Sequence, residues 1–158
     1  MKISDVAKLT GVTVRTLHYY DEIGLLNPSE VTQAGYRVYN DTDLEVLQQI
    51  LFFRELDFSL EDIRKIMQNP AYEKESALRK QKELLMQKRS RLDSLISLVD
   101  KTLKGEQDMS FRPFDTTKIE EMKKKYAEEG MRMKNPPCKG TLLYSGFFAP
   151  IKRTHSTE

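Results

Sequence analysis

Apolar positions in the first twenty residues recur at helical spacing in two short runs divided by one glycine. Val6 and Leu9 share a face with the small Ala7 between them, and Ser4 is placed to cap that run. Gly11 follows where the chain must turn sharply, a place that favours a residue tolerant of positive φ. Thr13 can cap the second run, whose inner face is Val14, Leu17 and Tyr20, with Tyr20 in the core. Arg15, Thr16, His18 and Tyr19 then face outward. Two short helices packed steeply around a small residue and a glycine predict a helix-turn-helix.

Beyond Pro28 the period changes from helical to alternating. Val31-Thr32 and Tyr36, Val38 and Tyr39 predict two short strands around a turn at Gln33-Ala34-Gly35. A hairpin directly after a helix-turn-helix is a wing, and Arg37 points away from Tyr36 and Val38. Helical spacing then resumes. Thr42 and Glu45 suggest a capping box, with Leu44, Leu47, Ile50, Leu51 and Phe53 or Leu56 as the buried stripe. Ser59 and Asp62 suggest another, opening a helix that buries Leu60, Ile63, Ile66 and Met67 before Asn69-Pro70 stops it.

From Glu73 to Leu103 there is neither glycine nor proline. Leu78, Leu85, Leu92 and Val99 recur every seven residues, and Lys82, Arg89, Ile96 and Leu103 form the companion row. One helix cannot hide a heptad stripe, so the stripe predicts a coiled coil with a second copy, strongest in its apolar far half. The spacing leaves parallel and antiparallel pairing open. A long surface helix packed on its own domain is the plainer alternative, but seventy residues make a small partner for so long a helix. The expected fold is mainly α: a winged helix-turn-helix over residues 1–70, a dimerisation helix over 71–104, and a remainder over 105–158.

Charge sharpens this picture. The 158 residues carry a net charge of +2, but residues 1–70 hold seven Lys/Arg against eleven Asp/Glu. The head is therefore not a basic domain, and a nucleic-acid reading rests on the motif and the local placement of Arg15, Arg37 and Arg54. A single cysteine, Cys138, excludes an intramolecular disulfide and a multi-cysteine metal site, and as a lone thiol it reads as incidental. No apolar run has the length of a membrane span and no signal-peptide core opens the chain, so a cytoplasmic protein is expected. His18 and His155 lack a neighbouring acid–nucleophile arrangement, and no phosphate-binding glycine loop appears. No catalytic site, metal or cofactor is expected.

The run Thr13-Val14-Arg15-Thr16-Leu17-His18-Tyr19-Tyr20-Asp21, then Gly24-Leu25-Leu26 and Pro28, resembles the signature of the MerR family of bacterial transcription regulators. Gly35-Tyr36-Arg37-Val38-Tyr39 resembles that family's wing, and Asp43-Leu44 with Leu47 the start of its third helix. Within the family the likeness is to the multidrug-responsive and TipA-like branch, and it covers residues 1 to about 104. The resemblance implies a homodimer joined by an antiparallel coiled coil, double-stranded promoter DNA as partner, and activation by distorting an overlong spacer so that RNA polymerase meets both promoter elements. Carried onto this chain, it makes Arg15 the candidate for a base-edge contact, since a guanidinium bonds guanine O6 and N7 together. Thr13, Thr16, His18 and Tyr19 approach bases or phosphates from the same helix. His18 stands where many members carry a basic residue. Tyr36, Arg37 and Tyr39 are the implied wing contacts, and Arg54 a phosphate contact in a second wing. Leu78, Leu85, Leu92, Ile96, Val99 and Leu103 are the expected dimer contacts.

After Lys104 the pattern weakens. Gly105 to Ser110 reads as a linker, and Thr116 to Glu129 as a charged helix with Ile119, Met122 and Tyr126 on one face. This resembles the opening helix of the TipA-type ligand-binding domain, which receives peptide antibiotics. Past about residue 130 helical period and caps are lost, which suggests a truncated effector domain or a shifted reading frame, with an inducing drug or peptide antibiotic doubtful. Members that sense metals place cysteines at the end of the coiled coil, and none stands there. A coiled-coil interaction module, or a competitor lacking a working effector domain, is the alternative function.

Overall fold

The computed structural model describes residues 1–132. Six α-helices and one hairpin follow in order: α1 (Ile3–Thr10), α2 (Val14–Glu22), β1 (Glu30–Val31), β2 (Arg37–Val38), α3 (Asp41–Glu55), α4 (Leu60–Met67), α5 (Lys74–Leu103) and α6 (Thr117–Arg132). A turn of 3-10 helix, Arg112–Phe114, precedes α6.

Several local signals act as the sequence suggests. Thr13 accepts from the Thr16 N–H and starts α2, and Ser59 accepts from the Asp62 N–H and starts α4. Gly11 closes α1 at φ 74°, where its N–H reaches the Ala7 carbonyl; a side chain there would strain the left-handed backbone. Lys104 ends α5, and the Gly105 and Glu106 N–H groups return to Thr102 and Lys101, the paired bonds of a Schellman turn.

Tertiary pairing moves other boundaries. Ser4 does not cap α1, which begins two residues earlier than such a cap would set it, at Ile3 behind Lys2, without a side-chain cap. Lys2 pairs instead with Val38 in a single antiparallel bridge, and Met1 and Tyr39 exchange backbone bonds, so the N-terminus lies along β2. The box at α3 is Asn40 with Asp43, not Thr42 with Glu45. The Asp43 carboxylate also accepts from the Ser29 N–H and hydroxyl, so this one residue joins the helix start to the chain before β1. Glu45 pairs with Lys74 at 2.8 Å.

The core of the head joins Val6, Leu17, Tyr20, Leu47, Ile50, Phe53 and Ile63, all buried. Each such aliphatic or aromatic side chain contributes roughly 1.5–3 kcal/mol by leaving water. Leu9 and Val14 do not belong to it. Leu9 is 65 % exposed because the buried face of α1 runs through Ile3, Val6 and Ala7, and Val14 is 38 % exposed at the first position of α2. Leu9 lines a shallow groove with Leu44 and Leu51.

The long helix α5 has two apolar faces. Ala77, Gln81 and Leu84 are buried against the chain's own head and α6. The heptad row lies roughly a quarter-turn around the helix at about 100° per residue. That row is open: Leu78 36 %, Leu85 38 %, Leu92 53 %, Ile96 59 %, Val99 57 % and Leu103 80 % exposed. The plainer alternative therefore describes one face of α5 and leaves the other uncovered. Helix α6 packs on α4 and α5, and its Tyr126 enters the head's core beside Phe53 and Phe58 at 5.7 Å from each ring. Among the described residues no helix is long and apolar enough to cross a membrane. The reading-frame expectation, Cys138 and His155 lie outside the described residues.

Candidate nucleic-acid interface

The outward face of α2 is built from its first turn. Thr13 and Thr16 share a hydroxyl–hydroxyl bond of 2.8 Å while Thr13 caps the helix, so their side chains are oriented before any ligand arrives. Leu17 and Tyr20 anchor the opposite face. Arg15 and Tyr19 are exposed, Thr16 and His18 half-buried, and Arg15 makes no ion pair among the described residues. A guanidinium whose five donors meet no partner among the described residues, on the exposed face of a helix pinned at both ends, suits a base edge. The far end of α2 is pinned by α4: Arg64 donates to the Ile23 carbonyl and Gln68 to the Gly24 carbonyl, both at 3.2 Å.

The wing differs from the sequence expectation in two residues. Tyr36 is 67 % exposed at the hairpin tip and free to contact a ligand. Tyr39 is 1 % exposed and belongs to the core, so it is no surface contact. Its backbone pairs with Met1, and burial together with the Asp21 charge pushes its phenol above the ordinary range. Arg37 is not a free cation. Its Nε donates to the Asp21 carboxylate at 2.7 Å, which fastens the wing to the last turn of α2 and leaves the two terminal nitrogens of the fork for other acceptors.

Arg54 also has an internal task. Its Nη1 donates to the Phe58 carbonyl at 2.9 Å across the α3–α4 turn, while the residue stays exposed. Asp57 in that turn has φ 60°, the one non-glycine residue with positive φ among those described. Lys88 of α5 donates to the Glu55 carbonyl at 2.7 Å and the Asp57 carboxylate at 3.1 Å. Pattern reading missed Asp21, Asp43, Arg64, Gln68 and Lys88, because each acts on a residue distant in sequence. Only the Asn40-to-Asp43 spacing gave a local signal. Among the described residues no group of three His, Cys, Asp or Glu side chains could hold a metal.

Residues 1–70 match the family model described as MerR HTH family regulatory protein, and residues 44–104 the model described as MerR, DNA binding. The HTH-type transcriptional activator mta of Bacillus subtilis is 45 % identical over 135 residues, 81 % of this chain and 52 % of the relative. The HTH-type transcriptional activator TipA of Streptomyces coelicolor is 46 % identical over 103 residues, 65 % of this chain and 41 % of the relative. A solved structure, the HTH-type transcriptional regulator SkgA from Caulobacter crescentus, is 40 % identical, aligns with a TM-score of 0.64, and covers 77 % of this chain and 93 % of that one. The chain spans about half the length of the curated relatives it matches. With the helix-turn-helix, the wing and the long helix all in place, the chain belongs to the MerR family of helix-turn-helix regulatory proteins, beside the Mta and TipA activators.

Proposed function

We propose that this protein is a sequence-specific DNA-binding transcriptional regulator that works as a homodimer on promoter DNA. The observation that carries the reading is the uncovered apolar row of α5 behind a head that presents Arg15, Tyr19 and Tyr36 to solvent. A second copy covers that row. Parallel pairing would set Lys82 against Lys82 and Arg89 against Arg89, whereas antiparallel pairing about the middle of the row sets each beside apolar residues. A 30-residue helix is about 45 Å long, so antiparallel rods hold the two heads far apart. That separation suits recognition helices entering successive major grooves, which repeat every ~34 Å.

Arg15 then reads a base edge, Thr13, Thr16, His18 and Tyr19 contact bases or phosphates, and Tyr36, the free donors of Arg37 and Arg54 meet the backbone. The relatives mta and TipA are named as activators, which supports activation over repression, by spacer distortion that lets RNA polymerase engage both promoter elements. Such work belongs in the cytoplasm and needs no enzymatic activity. A gel-shift titration against the DNA upstream of its own gene tests this reading, together with footprinting. Tight binding there over random duplex, with a symmetric footprint, is expected. Equal weak binding to both would favour an interaction module instead.

A further inference from the structure

Helix α6 meets the DNA-binding head along α4, at Ile66 and Asn69, and at the α3–α4 turn just after Arg54. Lys123 of α6 donates to the Asp57 carbonyl at 3.2 Å, and its ammonium lies 5.7 Å from the centre of the Phe58 ring. Its side chain is 14 % exposed, and the ammonium is shared between the Asp57 carbonyl and the Glu120 carboxylate of its own helix, also at 3.2 Å. Tyr126, one helical turn on, packs edge-on against Phe58 and also touches Phe53, closing an aromatic cluster of three. The carbonyl of the same Phe58 accepts the bond from Arg54. Lys123 thus grips the carbonyl immediately before the one that orients Arg54, at a turn whose Asp57 backbone is unfavourable for a residue with a side chain.

We propose that Lys123 and Tyr126 are positioning residues for DNA binding. Docked on the α3–α4 turn, they hold Arg54 in the orientation from which its guanidinium meets backbone phosphate. The inference rests on the DNA-binding reading above and adds to it a part of the chain that lies beyond the helix-turn-helix, the wing and the long helix. It also gives the segment after α5 a direct physical hold on affinity. The contacts of α6 use the face of α5 that carries Ala77 and Leu84, so docking of α6 and pairing through the heptad row are compatible.

A double-mutant cycle in the full chain tests it, read by gel shift on the duplex upstream of its own gene. Lys123→Met and Tyr126→Leu are each expected to weaken binding about tenfold while the protein stays folded by circular dichroism. Lys123→Arg restores most of the loss, since it can still donate to the Asp57 carbonyl. In an Arg54→Ala background, Lys123→Met should weaken binding no further. Equal losses with and without Arg54, or no loss in either variant, would overturn the positioning role. Failure of the parent chain itself to bind the duplex would instead overturn the DNA-binding reading together with this one.

Discussion

Arg37 and Asp21 are joined at 2.7 Å, guanidinium Nε to carboxylate, and the pair ties the wing to the last turn of α2. Both side chains are about three-quarters buried, at 27 % and 20 % exposure, yet solvent still screens the pair. Arg37→Ala should lower DNA affinity for every sequence alike. It should flatten the salt dependence by less than the unit or so expected of an unpaired phosphate contact, because Asp21 already neutralises part of the charge. An Arg37→Ala, Asp21→Ala cycle should give a coupling on the order of 1 kcal/mol in thermal unfolding. Additive single effects would remove the pair as the wing's anchor.

Arg15 is the opposite case, exposed and without an ionic partner among the described residues. Arg15→Ala should cost about 1–3 kcal/mol of binding and relax selectivity at one base pair per half-site. Competition binding against a library mutated one position at a time measures both. A loss uniform across all positions would make Arg15 a phosphate contact and not a base reader.

The open row of α5 predicts its own partner and direction. With antiparallel helices paired about the middle of the row, Leu85 faces Ile96 of the partner subunit. Leu85→Glu or Ile96→Lys alone buries a charge against an apolar side chain and should shift the protein to monomer in sedimentation. The two substitutions together bring opposite charges face to face only in the antiparallel arrangement, and there should restore the dimer. A double variant that stays monomeric would count against antiparallel pairing.

Burial raises the phenol pKa of Tyr72 to about 12, with Glu73 adding to it, and burial raises that of Tyr126 with Tyr72 adding to it. In the unfolded chain a tyrosine ionises near 10. The folded state therefore keeps protons that the unfolded state loses. Stability from these groups is complete below about pH 10 and falls as pH rises toward about 12. Tyr126→Phe should leave stability at neutral pH nearly unchanged, because its hydroxyl has no hydrogen-bond partner among the described residues, and should lessen the alkaline loss. Tyr72→Phe should cost about 1 kcal/mol, since Gln49 loses the hydroxyl that donates to it at 3.2 Å. Thermal melts across the alkaline range compare the two.

Local rules were enough for much of this protein. The Thr13 and Ser59 caps, the turn at Gly11, the unbroken helix to Leu103 and the heptad row all follow from residues within one or two turns of each other, where propensity and periodicity act. The outward placement of Arg15 and Tyr19 follows from the same spacing. Tertiary structure alone decided which candidate side chains stay available. Tyr39 is lost to the core because the N-terminus pairs with β2, Arg37 is shared with Asp21 sixteen residues away, and Arg54 is turned toward the Phe58 carbonyl. It also placed Tyr126 in a core formed some seventy residues earlier. The reason is physical. A period of 3.6 or 2 fixes which face a residue is on, whereas burial and pairing depend on which distant segment comes to cover that face.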